Sequence, residues 1–179
     1  MPKKIAIFDF DGTLFRSPER PTWWPHQGFW GRMETLSPPF VPESPDHDWW
    51  ITHVVSAAKK SLSDPDTYTV MLTGRAPKFR QRIEHLLRSA GLHFHEVFLG
   101  GKGNTVTDKI AVIAALTKRF PEAITVEMWE DRVEHIPDFT SAIRGMGCEP
   151  LIHEVSAPPK EFLNAPEEKT HEAPQPPSA

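Results

Sequence analysis

The sequence predicts an α/β fold, a central and mainly parallel sheet covered by helices, and three observations carry that prediction. Strand-like and helix-like stretches alternate along the chain from about residue 4 to residue 155. The apolar run Ile5-Ala6-Ile7-Phe8 passes directly into Asp9-Phe10-Asp11-Gly12-Thr13, as a buried strand does when it ends in a polar loop. Helical spacing is closed by Gly91 and again by Gly147, at the position where glycine is the favoured stop. With 179 residues there is room for one domain with a real core and not for two of full size.

In chain order, residues 4–9 form the first strand. Between Phe15 and Asp48 the periodicity is lost, because Pro18, Pro21, Pro25, Pro38, Pro39, Pro42 and Pro45 interrupt it, with Trp23, Trp24, Phe29 and Trp30 between them. Proline at that density forbids a long helix or a central strand, so residues 15–48 read as an irregular, cap-like insertion beside the first loop. A helix over 49–63 follows, with Trp50, Val54, Ala57, Ala58 and Leu62 near one face and Asp64-Pro65-Asp66 as its end. Residues 68–73 are a second buried strand, leading through Gly74-Arg75 into a helix over 77–90 that starts on a proline. A strand over 94–99, a glycine-rich loop, a helix over 107–120, a strand over 124–129, a helix over 133–146 and a last strand over 149–155 complete the domain. From Ser156 the chain is rich in proline, charge and small residues, which cannot bury enough apolar surface to offset the entropy of ordering. The expected organisation is therefore a domain over 1–155 and a disordered, proline-rich tail over 156–179.

Composition narrows the classes of partner. The formal charge of −4 argues against a general polyanion binder, while leaving open a small or end-directed phosphate substrate. The single cysteine, Cys148, excludes an internal disulfide and suits a reducing compartment; it reads as a small buried residue. No long apolar segment and no signal-like N-terminus is present, so a cytoplasmic, soluble protein without a membrane association is expected.

Ligands of open parallel sheets sit outside the carboxyl ends of the strands, so the polar residues there are the candidates for chemistry. They are Asp9 and Asp11 after the first strand, Thr73 after the second, and Glu130-Asp131 after the fourth, joined by Lys109 from the start of a helix. Two carboxylates so close push one pKa upward, so that one serves as nucleophile or ligand while its neighbour carries a proton. A hydroxyl, an ammonium and a further acidic pair complete a set suited to a phosphoryl group. Each has a plain alternative: Asp-Gly is a common turn, Thr73 could cap the turn after it, and Lys109 could be a solvated helix residue. Lys102, flanked by glycines, is the rival for the lysine, although its loop lacks Walker spacing. His93 and His95 alternate on one strand face without a convincing third ligand.

Parallel-sheet receivers of response regulators use a similar set in a different order, with the phospho-accepting aspartate on a middle strand. The order here, acidic pair with nucleophile, Thr73, Lys109, then Glu130-Asp131, resembles the haloacid dehalogenase (HAD) superfamily of aspartate-nucleophile phosphohydrolases. Leu72-Thr73-Gly74-Arg75, Trp129-Glu130-Asp131-Arg132 with His135, and the Trp-rich insertion look most like the Swiss Army Knife RNA repair-like HAD family. The Thr-Gly-Arg and Glu-Asp-Arg pieces also look like the phosphatase domain of polynucleotide kinase-phosphatases. The resemblance covers residues 5–155 and implies a HAD-like Rossmannoid three-layer sandwich with a short Pro/Trp-rich cap.

It further implies a phosphoric monoester hydrolase in which Asp9 is the nucleophile and Asp11 the general acid and base. Mg2+ would be held by Asp9, the Asp11 carbonyl and Asp131, with Glu130 as the alternative ligand. Thr73 would bond a phosphoryl oxygen and Lys109 would neutralise charge. Gly74, Arg75 and Arg132 would be substrate-binding, Arg75 through a phosphate contact and Arg132 through a structural ion pair. The implied substrate is a phosphorylated RNA or DNA end in a repair-type role; a small phosphorylated metabolite, and a non-catalytic RNA-end binding module, are the alternatives. Arg75, Lys78, Arg80, Arg82 and Arg88 could guide an oligonucleotide or be a solvated helix face, and Trp23, Trp24 and Trp30 could stack on bases or be the insertion's own small core. His135 is expected to orient the Glu130-Asp131 loop rather than to move protons. Protein partners are unknown from the sequence.

Overall fold

The first strand is buried on both faces, which is why its residues are apolar without alternation. In the computed structural model, which describes residues 1–24, 28–101 and 105–160, β1 spans Lys4–Phe8 and lies at the centre of a five-stranded sheet. The other strands are β2 (Thr67–Thr73), β3 (Glu96–Leu99), β4 (Thr125–Glu130) and β5 (Glu149–Glu154), in the spatial order β3-β2-β1-β4-β5. Every pairing is parallel. Phe8 is in register with Met71 and with Trp129, so Asp9, just past the end of β1, lies beside Glu130, the last residue of β4.

Four α-helices cover the two faces: α1 (Thr52–Ser63), α2 (Arg80–Ser89), α3 (Thr105–Arg119) and α4 (Ile136–Gly145). Alternate residues of β1 point to opposite sides, as strand geometry requires. Ala6 and Phe8 join Val54 and Ala58 of α1 and Ile83, Leu86 and Leu87 of α2 in one core. Ile5 and Ile7 join Ile113 and Leu116 of α3 and Phe139 and Ile143 of α4 in the other. The result is the three-layer α/β sandwich that the alternation of elements predicts, with a sheet that is wholly rather than mainly parallel.

Helix starts differ from the sequence expectation for local reasons. The helix predicted from residue 49 begins at Thr52, because His47–Trp49 form a single 3-10 turn, the Asp46 side chain accepts from the Asp48 N–H, and Trp50 bridges back to Phe15. Pro77–Phe79 and Val133–His135 are likewise 3-10 turns ahead of α2 and α4. No described helix is long and apolar enough to cross a membrane.

The proline-rich stretch leaves the sheet and returns at one place. The Arg16 N–H donates to Trp49 O at 2.8 Å and the Ile51 N–H to Leu14 O at 2.9 Å, closing the loop at its base. Inside it, Trp24 packs edge-on to Phe29 at 5.1 Å and to Phe40 at 5.8 Å, a small aromatic core of its own. Leu36 and Val41, fully buried, join this segment to the main core. Arg82 of α2 then donates to the carbonyls of Leu36 (2.7 Å), Pro42 (2.7 Å) and Glu43 (2.9 Å), satisfying acceptors that a chain without regular structure leaves open. The tail expected from Ser156 has residues 156–160 laid along the sheet edge, whereas 161–179 lie outside the described residues.

Candidate active site

A cavity of about 590 Å³ opens at the carboxyl edge of the sheet. Asp9, Asp11 and Gly12 line it from the loop after β1, Gly74 and Arg75 from the loop after β2, Thr105 and Lys109 from α3, and Asp131 and Arg132 from the loop after β4. Parallel register alone delivers the first, second and fourth of these loops to a common edge.

Lys109 is the hub on one side. Its Nζ lies 3.0 Å from Asp9 Oδ2 and 2.7 Å from Glu130 Oε2, and only 2% of the residue is exposed. Burial by itself would lower this lysine's pKa; the charges of Asp9 and Glu130 outweigh it and raise the pKa, so the ammonium is retained. Asp9 Oδ1 accepts from the Phe10 N–H at 2.8 Å, which fixes the carboxylate's orientation. Burial, with the Glu130 and Asp11 charges, pushes Asp9 up to about 7 against the pull of Lys109.

Asp11 has a different partner. Arg75 forks onto it, with Nη2 to Oδ1 at 2.8 Å and Nε to Oδ2 at 3.0 Å, and the Ser17 hydroxyl adds a bond to Oδ1 at 2.5 Å. Burial would raise this carboxyl, but the Arg75 charge and the hydrogen bonds of Arg75 and Ser17 together carry it below the usual carboxylate value. Arg75 itself is held by the insertion, donating from Nη1 to Thr35 Oγ1 at 2.7 Å and to Trp30 O at 3.2 Å, with its guanidinium 5.0 Å from the Trp30 ring.

The ion pair expected of Arg132 is made by Arg75. Arg75 forms the buried ion pair because the loop after β2 runs under the insertion next to Asp11, while Arg132 is exposed at the cavity and makes no ion pair among the described residues. Thr73 is 1% exposed and is not part of the cavity wall; its Oγ1 accepts from the Arg75 N–H at 3.2 Å, the turn-capping arrangement. Glu130 is fully buried, occupied by Lys109 and by the Arg132 N–H at 3.3 Å, and does not line the cavity. Lys102 lies outside the described residues.

Two glycines of the cavity wall stand in close approach to a neighbour. Gly12 has φ +69°, and a Cβ there would collide with the Asp131 carboxylate. A Cβ on Gly74 would come within 2.8 Å of Thr105 Cγ2.

The donor set suits a hard divalent cation. Oxygens of Asp9, Glu130 and Asp131 all lie within 4.8 Å of one another, and Lys109 pairs with the first two only. Asp131 Oδ1 is buried yet has no hydrogen-bond partner among the described residues. Burial and the Asp9 charge push Asp131 up to about 6. Surplus negative charge on oxygen ligands, one of them orphaned, fits Mg2+ as the resemblance implies.

The remaining sequence candidates divide. Trp24 is buried in the insertion's core, whereas Trp30 is 42% exposed and lines the cavity. Of the basic residues in and before α2, Arg75 and Arg82 are spent on the insertion, and Arg80 and Arg88 meet Glu84, which leaves Lys78 without a carboxylate in salt-bridge range among the described residues. His93 and His95 join no metal-ligating cluster among the described residues; His95 Nδ1 meets the Thr69 main chain instead. His135 rests edge-on against Phe139, and Cys148 is buried with its thiol 3.3 Å from Ala123 O. The sequence reading missed Arg16, Ser17 and Thr105, all of which line the cavity; for Arg16 and Ser17, nearness to Asp11 along the chain was the available signal.

Comparison with known proteins decides the family. Residues 17–169 match the family described as HAD domain family 1 in Swiss Army Knife RNA repair proteins. The chain belongs to this family. The matched span begins after the Asp9–Thr13 loop, so that loop rests on the geometry above. The uncharacterized protein YMR265C of Saccharomyces cerevisiae is 28% identical over 172 residues, covering 77% of this chain but only 36% of the yeast protein, so the chain spans about a third of that relative. Among solved structures, the HAD domain of the Legionella pneumophila effector protein Lem4 superposes with a TM-score of 0.55 at 13% identity, over 91% of this chain and 89% of that one. The L. pneumophila effector Ceg4 gives 0.54 at 17%, over 91% and 90%. A chain of the Pnkp1/Rnl/Hen1 complex gives 0.51 at 16%, over 87% of this chain and 47% of that one. At these identities the likeness is one of fold: this is a HAD domain, of a family named for RNA repair proteins.

Proposed function

We propose that this HAD domain is a Mg2+-dependent phosphohydrolase that forms an aspartyl-phosphate on Asp9 and takes phosphorylated RNA or DNA ends as substrate. The observation that carries it is the Asp9 carboxylate fixed 3.0 Å from the Lys109 ammonium, beside Asp131 and Asp11, in one cavity at the sheet edge.

Asp9 and Asp131, with the Asp11 carbonyl, would hold Mg2+, and Glu130 serves as the anchor of Lys109 rather than as a ligand. The ion supplies charge neutralisation between an anionic nucleophile and an anionic phosphate. Asp9 attacks phosphorus and the ester oxygen departs with a proton from Asp11; water, losing a proton to Asp11, then cleaves the acyl phosphate. In the arrangement seen, the Arg75 fork favours ionised Asp11, the form needed for the second step. For the first, a substrate phosphate takes up part of the guanidinium and lets Asp11 hold a proton. Thr73, behind the cavity wall, accepts from the Arg75 N–H and positions the turn, while Gly74 and Arg132 line the substrate's side. The exposed Trp30 offers a stacking surface for a base.

The RNA-end substrate rests on the family and on the Trp30 surface; the Pnkp1/Rnl/Hen1 likeness adds the fold. Hydrolysis of p-nitrophenyl phosphate and of 3′- and 5′-phosphorylated oligonucleotides with Mg2+ tests both parts. Asp9→Asn is expected to lose roughly 10³-fold or more in rate. Binding of RNA ends without metal-dependent hydrolysis of any phosphomonoester would make the domain a binding module instead.

A further inference from the structure

Arg16 and Arg132 are the cations of the cavity that make no ion pair among the described residues, and of the two it is Arg16 that is part-buried. Lys109 and Arg75 are neutralised by Asp9, Glu130 and Asp11. Arg16 lines the same cavity and has no carboxylate within ion-pair range among the described residues. Its Nε is buried without a hydrogen-bond partner, and its Nη1 reaches only a carbonyl, Pro158 O, at 3.3 Å. A guanidinium carries five N–H donors, and leaving one buried and unpaired is costly unless a ligand meets it.

The backbone makes this a fixed position. The Arg16 N–H donates to Trp49 O at 2.8 Å, and Arg16 O accepts from the Lys160 N–H at 3.4 Å, at the closed base of the insertion. Residues of the chain after β5, Val155, Ser156, Ala157 and Pro159, line the cavity wall beside it. Glu19, exposed at the same cavity, forms no ion pair with Arg16. Trp30 lines the same cavity from the insertion.

We infer that Arg16 is the subsite for a second phosphate of the substrate, one nucleoside away from the phosphate presented to Asp9. This deepens the proposed function and rests on it for the identity of the first phosphate. The second phosphate belongs to a nucleoside 3′,5′-bisphosphate or to the internucleotide link of a phosphorylated strand end; both place an anionic phosphate one nucleoside away from the first.

Calorimetric binding to the full chain carrying Asp9→Asn, which blocks turnover, tests the subsite independently of hydrolysis. The probes are a nucleoside monophosphate, a nucleoside 3′,5′-bisphosphate and a terminally phosphorylated dinucleotide. Arg16→Ala should weaken the two-phosphate probes about tenfold more than the monophosphate, the scale of a charge-assisted hydrogen bond, and Arg16→Lys should restore part of the difference. Preference confined to the dinucleotide identifies a strand end and preference confined to the bisphosphate a small molecule; either supports the subsite. Equal weakening of all three probes, the result of a guanidinium that merely fastens residues 156–160, overturns it, as does no weakening at all. Arg16-dependent discrimination in a protein whose native form hydrolyses nothing would defeat the phosphatase reading and leave the subsite standing; hydrolysis with no discrimination would do the reverse.

Discussion

Asp9 and Asp11 are two residues apart, yet they belong to regions built on different principles. Asp9 is held by regular structure: β1 delivers it, α3 supplies Lys109, and β4 supplies Glu130 to hold the lysine. Asp11 is held by irregular structure, through Arg75, whose remaining donors go to Thr35 and Trp30 of the proline-rich insertion. The first region fixes chemistry with the rigidity of a sheet, and the second ties a carboxylate's environment to the placement of a loop. The insertion's position and the protonation of Asp11 are therefore linked through one side chain.

The largest effect expected from breaking that link comes from Arg75→Ala. It leaves Asp11 without its cation and Thr35 without its donor, and it should lower kcat/KM by roughly 10²-fold to 10³-fold. Arg75→Lys restores charge but not the fork and should recover only part of the loss. Steady-state kinetics on a small phosphomonoester checks this, and a change below threefold would show that the two regions act separately.

Next in size is a purely structural break. Arg82→Ala strips three carbonyls of the insertion of their donor, and it should cost about 3 kcal/mol of stability in denaturant titration. A shift of a few tenths of a kcal/mol would mean that the aromatic cluster around Trp24 holds the insertion unaided.

The smallest effect sharpens the comparison by sign. Asp9 and Asp131 are raised to about 7 and about 6 from 3.8, so their contribution to the metal-free protein's stability is full below pH ~4 and is lost as pH rises through those values. Asp11 is lowered, so its contribution is present above the ordinary carboxylate range and lost as pH falls through its depressed pKa. Thermal melts in EDTA should show Tm falling by roughly 5 °C between pH 5 and pH 8, with Mg2+ removing the fall and Asp9→Asn flattening it. A metal-free Tm that rises across that window would contradict the charge assignment.

The same division explains what was legible in the sequence. Apolar runs, glycine stops and strand-end acids marked the sheet, the helices and the places of Asp9, Lys109 and Asp131 to within a few residues, because local propensity and burial agree there. Partners of side chains in irregular segments left no period to read. Thr35 as an acceptor for Arg75, Leu36, Pro42 and Glu43 as acceptors for Arg82, and Ser17 on Asp11 follow from a loop path that proline forbids to be regular. Hence the arginines of α2 and its approach read as a charged face, while two of them are buried struts of the insertion. Likewise the ion pair expected of Arg132 is made by Arg75, since chain position beside a catalytic loop does not say which side chain turns inward.

The central claim is that Asp9 becomes phosphorylated. Rapid quenching of the protein during turnover of a phosphomonoester with Mg2+, followed by borohydride trapping and mass spectrometry of the peptide containing Asp9, tests it directly. The expected result is homoserine at position 9, formed when hydride reduces the acyl phosphate and phosphate departs, in the native chain, more of it in Asp11→Asn, and none in Asp9→Asn. Turnover in Asp9→Asn within tenfold of the native rate, or a native chain that turns over with no homoserine at position 9, would contradict the account.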